Sequence, residues 1–381
     1  MSKVLSGEGG LGPHVARKII EVVGGQGNPP EYGFQYFTVG LEAYLSVLDR
    51  EYLGGFIKEG GSAFKMVIGG YGTGKTHFLY SVRDLAWKHG FVVSYLTLSP
   101  EHSPFSSLEK VYKEIVLNLT LPQSLEELVQ GYTAGIENVL RFWHYKKREQ
   151  AKEKAKASGS SAWDDIFAYL SSLSSYESTS FRNAVRKAFL SIAMRHDEDF
   201  SLMLQWLKGE NPPRDLLKDD AVFERIDRST AFKMIRSLMQ WTREIGFSGL
   251  VILLDEAEQI PSMSSRQVDL MVNNLREVID ECGHENFRNT MWFYAVPDEE
   301  FVHGRTLVYE ALRQRLATVF DAKLNPTGVK IYLERIAGDP MDVLKGIGRK
   351  LASIYETAYN TKFDQNALEK TINGISLGAY E

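Results

Sequence analysis

The chain is organised around residues 69–76, Gly69-Gly70-Tyr71-Gly72-Thr73-Gly74-Lys75-Thr76, which match the pattern G-x-x-x-x-G-K-[ST] in full. A short β-prone run, Phe64 to Ile68, comes directly before this loop, and a helical pattern, Thr76 to Lys88, follows it. A second β-prone run extends from Phe91 to Leu98. Strand, glycine-rich loop, helix and strand in this order form a βαβ unit. The sequence therefore predicts an α/β fold with a parallel sheet flanked by helices.

The residue types in this loop are those that phosphate binding requires. Glycines allow the backbone to curl so that consecutive N–H groups face one anion, and the N-terminus of the next helix adds a partial positive charge. We expect Lys75 to reach the β- and γ-phosphates of ATP and the Thr76 hydroxyl to ligate Mg²⁺. The alternative is a glycine turn that matches by chance, and the flanking strand and helix argue against it. The predicted phosphate-binding residues are Gly69, Gly70, Tyr71, Gly72, Thr73, Gly74, Lys75 and Thr76.

An apolar run that ends in two acids supplies the second half of this site. Leu250 to Leu254 is too apolar for a surface strand and is followed by Asp255 and Glu256. Strands of a parallel sheet that are buried on both faces have such runs, and ligands bind beyond their carboxyl ends. We expect Asp255 to hold Mg²⁺ through its water shell and Glu256 to orient and deprotonate the attacking water. The alternative is a buried strand followed by a solvated acidic turn, and we interpret Glu258 as such a surface residue.

The spacing between the two halves predicts a large insertion. Asp255 comes 180 residues after Lys75, and most of residues 105–246 have helical patterns, among them Ser124 to Tyr145. We expect the surplus to form a helical subdomain that mediates interactions and does not complete the sheet. The expected organisation is an N-terminal helical segment (1–60), a P-loop ATPase core (61–120 and 231–325), an inserted helical subdomain (121–230) and a lid-like, helical C-terminal region (326–381).

A third β-prone run, Met291 to Val296, lies one helix after the acidic run. In additional-strand ATPases the next strand of the sheet places a polar sensor residue beside the γ-phosphate. The tip of this strand offers Tyr294, Ala295 and Asp298, none of which is the usual Asn, Thr or Ser. The sensor assignment therefore stays open.

Two arginines, Arg313 and Arg315, stand at i, i+2 in a helical segment near the end of the predicted core. Either could be an arginine finger that completes the site of a neighbouring subunit, which would require a homo-oligomer. The alternative is a solvated or salt-bridged surface arginine.

Composition limits the class of protein. The 381 residues are 44% hydrophobic and 24% charged, which is typical of a soluble globular protein. The net charge of −5 argues against electrostatic binding of nucleic acid by the molecule as a whole. A single cysteine, Cys282, excludes an intramolecular disulfide and a Cys-rich zinc module. We find no signal peptide and no apolar run long enough to span a membrane, so we expect a cytoplasmic protein.

One segment departs from this acidity. Lys146 to Lys156, together with Arg141, contains seven basic and two acidic residues and leads into Ser158-Gly159-Ser160-Ser161. The simpler interpretation is a solvated helix end that runs into a flexible link. The alternative is an arm that contacts the phosphates of DNA through its basic residues Lys146, Lys147, Arg148, Lys152, Lys154 and Lys156.

Three stretches, residues 37–42, 71–79 and 249–258, together resemble the BrxC/BrxD ATP-binding proteins of the bacteriophage-exclusion (BREX) systems of bacteria and archaea. The length of the chain is closer to the shorter BrxD type. The resemblance covers most of residues 10–320 and is similar in outline to origin-recognition and STAND-type AAA+ ATPases. It implies an AAA+-like fold, ATP and Mg²⁺ as ligands, and a role in defence against phage DNA beside partner proteins. It also implies an arginine-bearing helix at residues 309–316, and nucleotide contacts by Phe37, Val39, Gly40 and His77.

Three hypotheses about function follow. The first is an ATP-hydrolysing motor or loader of a defence complex, which the adjacent Asp255 and Glu256 favour. The second is a slow nucleotide-dependent switch or scaffold that recruits partners, which the missing polar sensor favours. The third, a DEAD-type helicase, is suggested only by residues 255–258 and lacks a recognisable second RecA-like half.

Overall fold

The fold is described from a computed structural model that defines residues 11–26, 31–99, 104–124, 127–128, 131, 133–159, 161–257, 263–284, 286–299, 307–317 and 327–380. Six strands in these ranges form one sheet in the order β3-β2-β4-β5-β1-β6. All neighbouring pairs are parallel except β2 and β3. The strands are β1 (Ser62–Ile68), β2 (Val92–Thr97), β3 (Leu119–Thr120), β4 (Leu250–Asp255), β5 (Thr290–Val296) and β6 (Lys330–Tyr332).

Helices cover both faces of this sheet. Within the described ranges they are α1 (Pro13–Gln26), α2 (Glu42–Val47), α3 (Lys75–Lys88), α4 (Leu108–Leu117), α5 (Ile136–Ser158), α6 (Ala162–Ser171), α7 (Thr179–Met194), α8 (Asp197–Leu207), α9 (Arg214–Leu217), α10 (Ala231–Glu244), α11 (Ser265–Gly283), α12 (Leu307–Leu316), α13 (Leu333–Ala337), α14 (Pro340–Tyr359) and α15 (Gln365–Tyr380). A π-helical segment, Leu48–Phe56, continues α2. The mixed α/β fold with a mostly parallel sheet is therefore confirmed.

The sheet separates two apolar layers because successive side chains of a strand point to opposite faces. Val67, Val251 and Phe293 lie on the face that packs against α3 and the π-helical segment. Their neighbours along the strands lie on the other face, in a larger cluster that continues into helices α4 to α11. A third cluster joins α1 to α14. Strand β4 is buried at every position, as its apolar run predicts.

Two differences from the predicted elements have physical causes. Ser124 to Tyr145 is not one helix, because α5 begins at Ile136 and continues to Ser158. Gly135 precedes it with φ 108° and donates its N–H to Leu119 O at 2.8 Å, which holds the chain beside β3 instead of in a helix. The second difference is β6, an edge strand of three residues that is too short for a periodic pattern. It lies within the range predicted to be helical.

The basic residues from Lys146 to Lys156 lie inside α5, which is continuous to Ser158. Part of the predicted link, Ser160, lies outside the described residues, as does Glu258. No helix in the described part of the chain is both long and apolar enough to cross a membrane.

Candidate functional site

The glycine-rich loop, residues 69–74, lies at the carboxyl edge of the sheet between β1 and α3. Gly72 and Gly74 adopt φ values of 77° and 89°, in the left-handed region that side chains with a Cβ rarely occupy. Gly74 is the N-cap of α3, which begins at Lys75. The backbone thus forms a turn whose end is a helix N-terminus, the arrangement that binds anions.

Lys75 is held across this loop. Its Nζ donates to Gly69 O at 2.9 Å and to Gly70 O at 3.1 Å, and the side chain is buried. The ring centroid of Tyr71 lies 5.4 Å from the same nitrogen, although the tyrosine is 79% exposed. The ammonium group is therefore fixed against the backbone of the loop.

Thr76 and Asp255, 179 residues apart, meet at the first turn of α3. The Thr76 hydroxyl donates to Asp255 Oδ2 at 2.7 Å, and the aspartate is 1% exposed. The Tyr95 hydroxyl donates to the same oxygen at 2.7 Å. Burial is the main cause that raises the pKa of Tyr95, and the negative charge of Asp255 raises it further. The hydroxyl therefore stays a donor at neutral pH. Sequence reasoning missed Tyr95.

The register of the sheet explains how Tyr95 reaches Asp255. Strand β2 pairs with β4 so that Thr97 is opposite Asp255 and Tyr95 is two residues earlier, on the same face. A long aromatic side chain can span this diagonal between neighbouring strands. The β-prone run that contains Tyr95 is visible in the sequence, but its pairing with β4 is not.

The donor set at Asp255 fits a divalent cation. Oδ1 accepts the N–H of Glu256 at 2.9 Å, and the partners of Oδ2 are the two hydroxyls. Among the described residues no cationic side chain is paired with this buried carboxylate. Burial of a carboxylate without a paired cation costs stability. A carboxylate and a threonine hydroxyl are hard oxygen ligands of the kind that Mg²⁺ prefers, so the residues present fit Mg²⁺. The described residues contain no cluster of three His, Cys, Asp or Glu side chains that could hold another metal.

Glu256 extends from the end of β4 in a strained conformation. Its φ is 55°, which is rare for a residue with a Cβ, and its side chain is exposed at the carboxyl edge of the sheet. Such backbone strain costs on the order of 1–3 kcal/mol and is concentrated at functional sites. Glu256 is thus exposed where the adjacent Asp255 is buried.

His77, in the first turn of α3, joins the loop helix to the N-terminal segment. Its ring packs against Phe34 and Phe37 at centroid distances of 5.5 and 5.4 Å, and its Nε2 lies 2.7 Å from Thr38 Oγ1. That hydroxyl already donates to Phe34 O at 2.9 Å, so Nε2 of His77 carries the hydrogen. Burial lowers the pKa of His77 to about 4, which keeps the imidazole neutral.

The C-terminal helix α14 packs against residues 37–40, for which the family resemblance implies nucleotide contacts. A Cβ on Gly346 would lie 2.9 Å from Val39 Cγ1, so a glycine is required for this approach. Lys350 donates to Thr38 O. Phe37 is buried beside His77, and Gly40 adopts φ 82° two residues before α2. The structure thus brings Phe37 and His77 together and places Val39 against α14.

An open cleft of about 370 Å³ lies on the β6 side of the loop. Asp298 lines it together with Gly69 and Gly70, and Glu334 Oε1 lies 3.4 Å from the N–H of Gly70. The other sensor candidates do not face this cleft. The Tyr294 hydroxyl is buried 3.8 Å from Met271 Sδ, and Ala295 packs in the core on the α3 side of the sheet.

The two candidate arginine fingers differ. Arg315 Nε is paired with Asp280 of α11, and its Nη1 donates to Ala311 O at 2.9 Å. This ion pair raises the pKa of Arg315 further. Arg313 is exposed. The structure therefore commits Arg315 to a contact within the chain and leaves Arg313 at the surface.

The basic residues of α5 are partly neutralised by neighbouring acids. Lys152 pairs with Glu149 at 2.7 Å, and Lys154 pairs with Asp165 of α6. Lys147 Nζ lies 4.1 Å from the ring centroid of Tyr169. These contacts lie within the helical region, and none of them involves the glycine-rich loop or the acidic strand.

Comparison with protein families matches residues 12–376 to the family described as BREX system ATP-binding protein BrxC/D. Comparisons with curated proteins and with solved structures gave no significant match. The family match covers nearly the whole chain, including the loop, the acidic strand and the C-terminal helices. This chain is therefore a member of the BREX system ATP-binding protein BrxC/D family.

Proposed function

We propose that this chain is a Mg²⁺-dependent, AAA+-like P-loop ATPase of a BREX-type antiviral defence system, of the BrxD type, that acts with partner proteins on or near DNA. Family membership supports ATP binding and the defence context. The observation that carries the proposal is the hydrogen bond from Thr76 to Asp255, which joins the glycine-rich loop to the acidic strand at the buried end of the sheet.

Each residue of the site has a role that its position supports. Lys75 neutralises phosphate charge at the mouth of the loop. Thr76 supplies an oxygen ligand for Mg²⁺, and Asp255 holds the ion through its water shell. When bound, the ion offsets the negative charge that develops on the phosphate oxygens. Glu256, exposed beside this pair, accepts the proton of the attacking water. His77, Phe37, Val39 and Gly40 are proposed to form the wall next to the adenine.

The order of the strands supports an additional-strand ATPase. Strand β5 lies between the loop strand β1 and the acidic strand β4, as expected where an extra strand separates the two motifs. On the basis of this strand order we also propose a division of the chain into regions. They are an ATPase core (61–120 and 231–325), an inserted subdomain (121–230) and flanking regions (1–60 and 326–381). Asp298, in the cleft beside the loop, is the sensor candidate that this arrangement favours.

Calorimetric binding of ATP with and without Mg²⁺ tests the proposal directly. Lys75→Ala should weaken ATP binding by about 3 kcal/mol, the size of one charge-assisted contact in a preorganised site. Lys88→Ala is the matched control, since this lysine lies at the far end of the same helix and forms an exposed ion pair with Asp49 that is worth little. The proposal is wrong if wild-type protein binds no nucleotide.

Turnover separates an ATPase from a nucleotide-binding switch. Glu256→Gln should reduce steady-state hydrolysis by roughly 10²–10⁴-fold while it retains ATP, because an amide keeps the shape but accepts no proton. Glu59→Gln, an exposed residue before β1, is the control. The switch is the second candidate because the Tyr294 hydroxyl is buried away from the loop. Wild-type turnover that is near zero, and unchanged by Glu256→Gln with and without DNA, would favour it.

Arg313 is the proposed arginine finger because Arg315 is committed to Asp280. A residue that acts in a neighbouring subunit makes specific activity rise with protein concentration. Arg313→Ala should abolish this rise, whereas Arg315→Ala should act mainly on stability. Specific activity that stays constant over a wide dilution series, with a monomer in light scattering, would contradict the assembly of a homo-oligomer around this residue.

A further inference from the structure

One oxygen of Asp255 receives two hydroxyl donors. Thr76, at the start of α3, and Tyr95, on β2, both approach Oδ2 to 2.7 Å. The other oxygen accepts the N–H of Glu256 at 2.9 Å. The carboxylate is thus held from three elements of the fold, by uncharged groups.

We propose that Tyr95 is a positioning residue for the Mg²⁺ site, which together with Thr76 holds the carboxylate of Asp255 in one orientation. The inference rests on the proposed function, since it requires Mg²⁺ to bind at Thr76 and Asp255. It adds a residue that lies outside both sequence motifs.

Two donors matter at this site because a buried carboxylate must keep its hydrogen bonds. Asp255 is 1% exposed, so each of its oxygens must keep a hydrogen-bond donor or a cation. The Thr76 hydroxyl donates its one proton to Asp255, and its lone pairs remain available to a metal, so this hydroxyl would be shared between the carboxylate and the ion. Tyr95 approaches from the neighbouring strand, independently of the loop, and so is able to remain in place.

Packing holds the Tyr95 ring in this position. Its centroid lies 5.0 Å from that of Tyr80, a buried residue one turn along α3 from Thr76. The Tyr80 hydroxyl neighbours that of Tyr95. The backbone of Tyr95 is fixed by pairing with Leu253 in the middle of the sheet. A rigid partner of this kind orients a metal ligand more effectively than a mobile one.

Tyr95→Phe keeps the ring and removes only the donor. Of the two hydroxyls that donate to Asp255 Oδ2, only that of Thr76 then remains, and this hydroxyl is also the proposed metal ligand. Loss of a partner that orients a ligand typically lowers metal affinity by about 10–100-fold, and we expect a decrease in this range. Affinity for ATP in EDTA should not change, because Tyr95 contacts neither the loop backbone nor Lys75 among the described contacts.

The experiment is a calorimetric titration of Mg²⁺ into full-length protein that is saturated with a non-hydrolysable ATP analogue. Tyr112→Phe is the matched control, because the Tyr112 hydroxyl is also buried but donates to Leu207 O at 2.9 Å, away from the site. Tyr80→Phe loosens Tyr95 without removing its hydroxyl and should give a smaller decrease in Mg²⁺ affinity. Thermal unfolding of each variant shows which of them are folded.

The outcomes separate the inference from the proposed function. If wild-type protein with the analogue binds no Mg²⁺, both are wrong. If wild type binds Mg²⁺ and Tyr95→Phe binds it equally or more tightly, only the role of Tyr95 is wrong. If Tyr95→Phe does not fold, Tyr80→Phe decides, and a Mg²⁺ affinity equal to that of Tyr112→Phe overturns the inference.

Discussion

The carboxyl edge of the sheet and the helical region from α5 to α10 bury different kinds of groups. At the edge, Asp255 and Lys75 are charged and nearly inaccessible, and Glu256 has a strained backbone. In the helical region Trp143 and Trp241 are fully buried, with ring centroids 5.8 Å apart in an edge-to-face arrangement. Polar burial and strain cost stability, whereas aromatic burial provides it. The comparison indicates that the helical region stabilises a chain whose site is built at the expense of stability.

The largest effect should come from the aromatic core. Trp143 contacts Phe189 at a centroid distance of 4.7 Å and donates its indole N–H to Tyr169 at 3.0 Å. Trp143→Ala should lower the free energy of unfolding by about 3–5 kcal/mol, because it leaves a cavity among rings that cannot collapse. Trp163→Ala, at a position that is 45% exposed, should change it by less than about 1 kcal/mol. Urea denaturation measures both variants.

The comparison predicts that a substitution in the helical region changes stability without changing ATP binding. Folded Trp143→Ala protein should bind ATP as wild type does, since the described partners of the tryptophan, Tyr169, Phe189 and Trp241, lie in the helical region. A loss of ATP affinity under conditions where the variant is folded would show that the helical core also shapes the nucleotide site.

A smaller effect, of opposite sign in the two regions, should come from glycine. Glu256→Gly relieves a left-handed conformation and should raise the free energy of unfolding by up to about 1 kcal/mol, at the expense of turnover. Glu153→Gly, in the exposed interior of α5, should lower it by about 1 kcal/mol. Urea denaturation curves of the two variants test the contrast. If both substitutions destabilise equally, Glu256 is not under strain.

The smallest effect on stability should come from the basic residues of α5, which we propose as the DNA contact. Replacing Lys146, Lys147, Arg148, Lys152, Lys154 and Lys156 by Gln should flatten the salt dependence of DNA binding, because each phosphate contact contributes about −0.9 to the log–log slope on duplex DNA. Stability should change by less than about 1 kcal/mol per ion pair. ATP turnover without DNA should not change.

The ion pairs of α5 sharpen this prediction. Arg148 and Lys156 are exposed, whereas Lys152 and Lys154 are paired with acids. The double replacement of Arg148 and Lys156 by Gln should therefore reduce the slope more than that of Lys152 and Lys154. Fluorescence anisotropy at several salt concentrations measures both, and identical slopes for wild type and all variants would assign the segment to a solvated helix surface.

Local sequence patterns were sufficient for much of the fold. The run from β1 through the glycine-rich loop to α3 and β2 lies within a few residues of its predicted bounds, because each signal is a short-range one. The apolar run of β4 predicted its complete burial. The same run ends at Asp255, so the sequence alone indicated that this residue would lie at the carboxyl edge of the sheet, near the loop.

Tertiary structure decided the partners of these residues. Tyr95 and Asp255 are 160 residues apart in the sequence. They meet only because their strands, β2 and β4, pair in one register. In the same way, Asp280 engages Arg315, and α14 packs against Val39 through Gly346. No local pattern encodes such contacts, because register and helix packing depend on the burial of whole faces. The sequence thus determined the unit from β1 to β2, the burial of β4 and where the acidic strand ends, while packing between distant elements determined which side chains hold the site together.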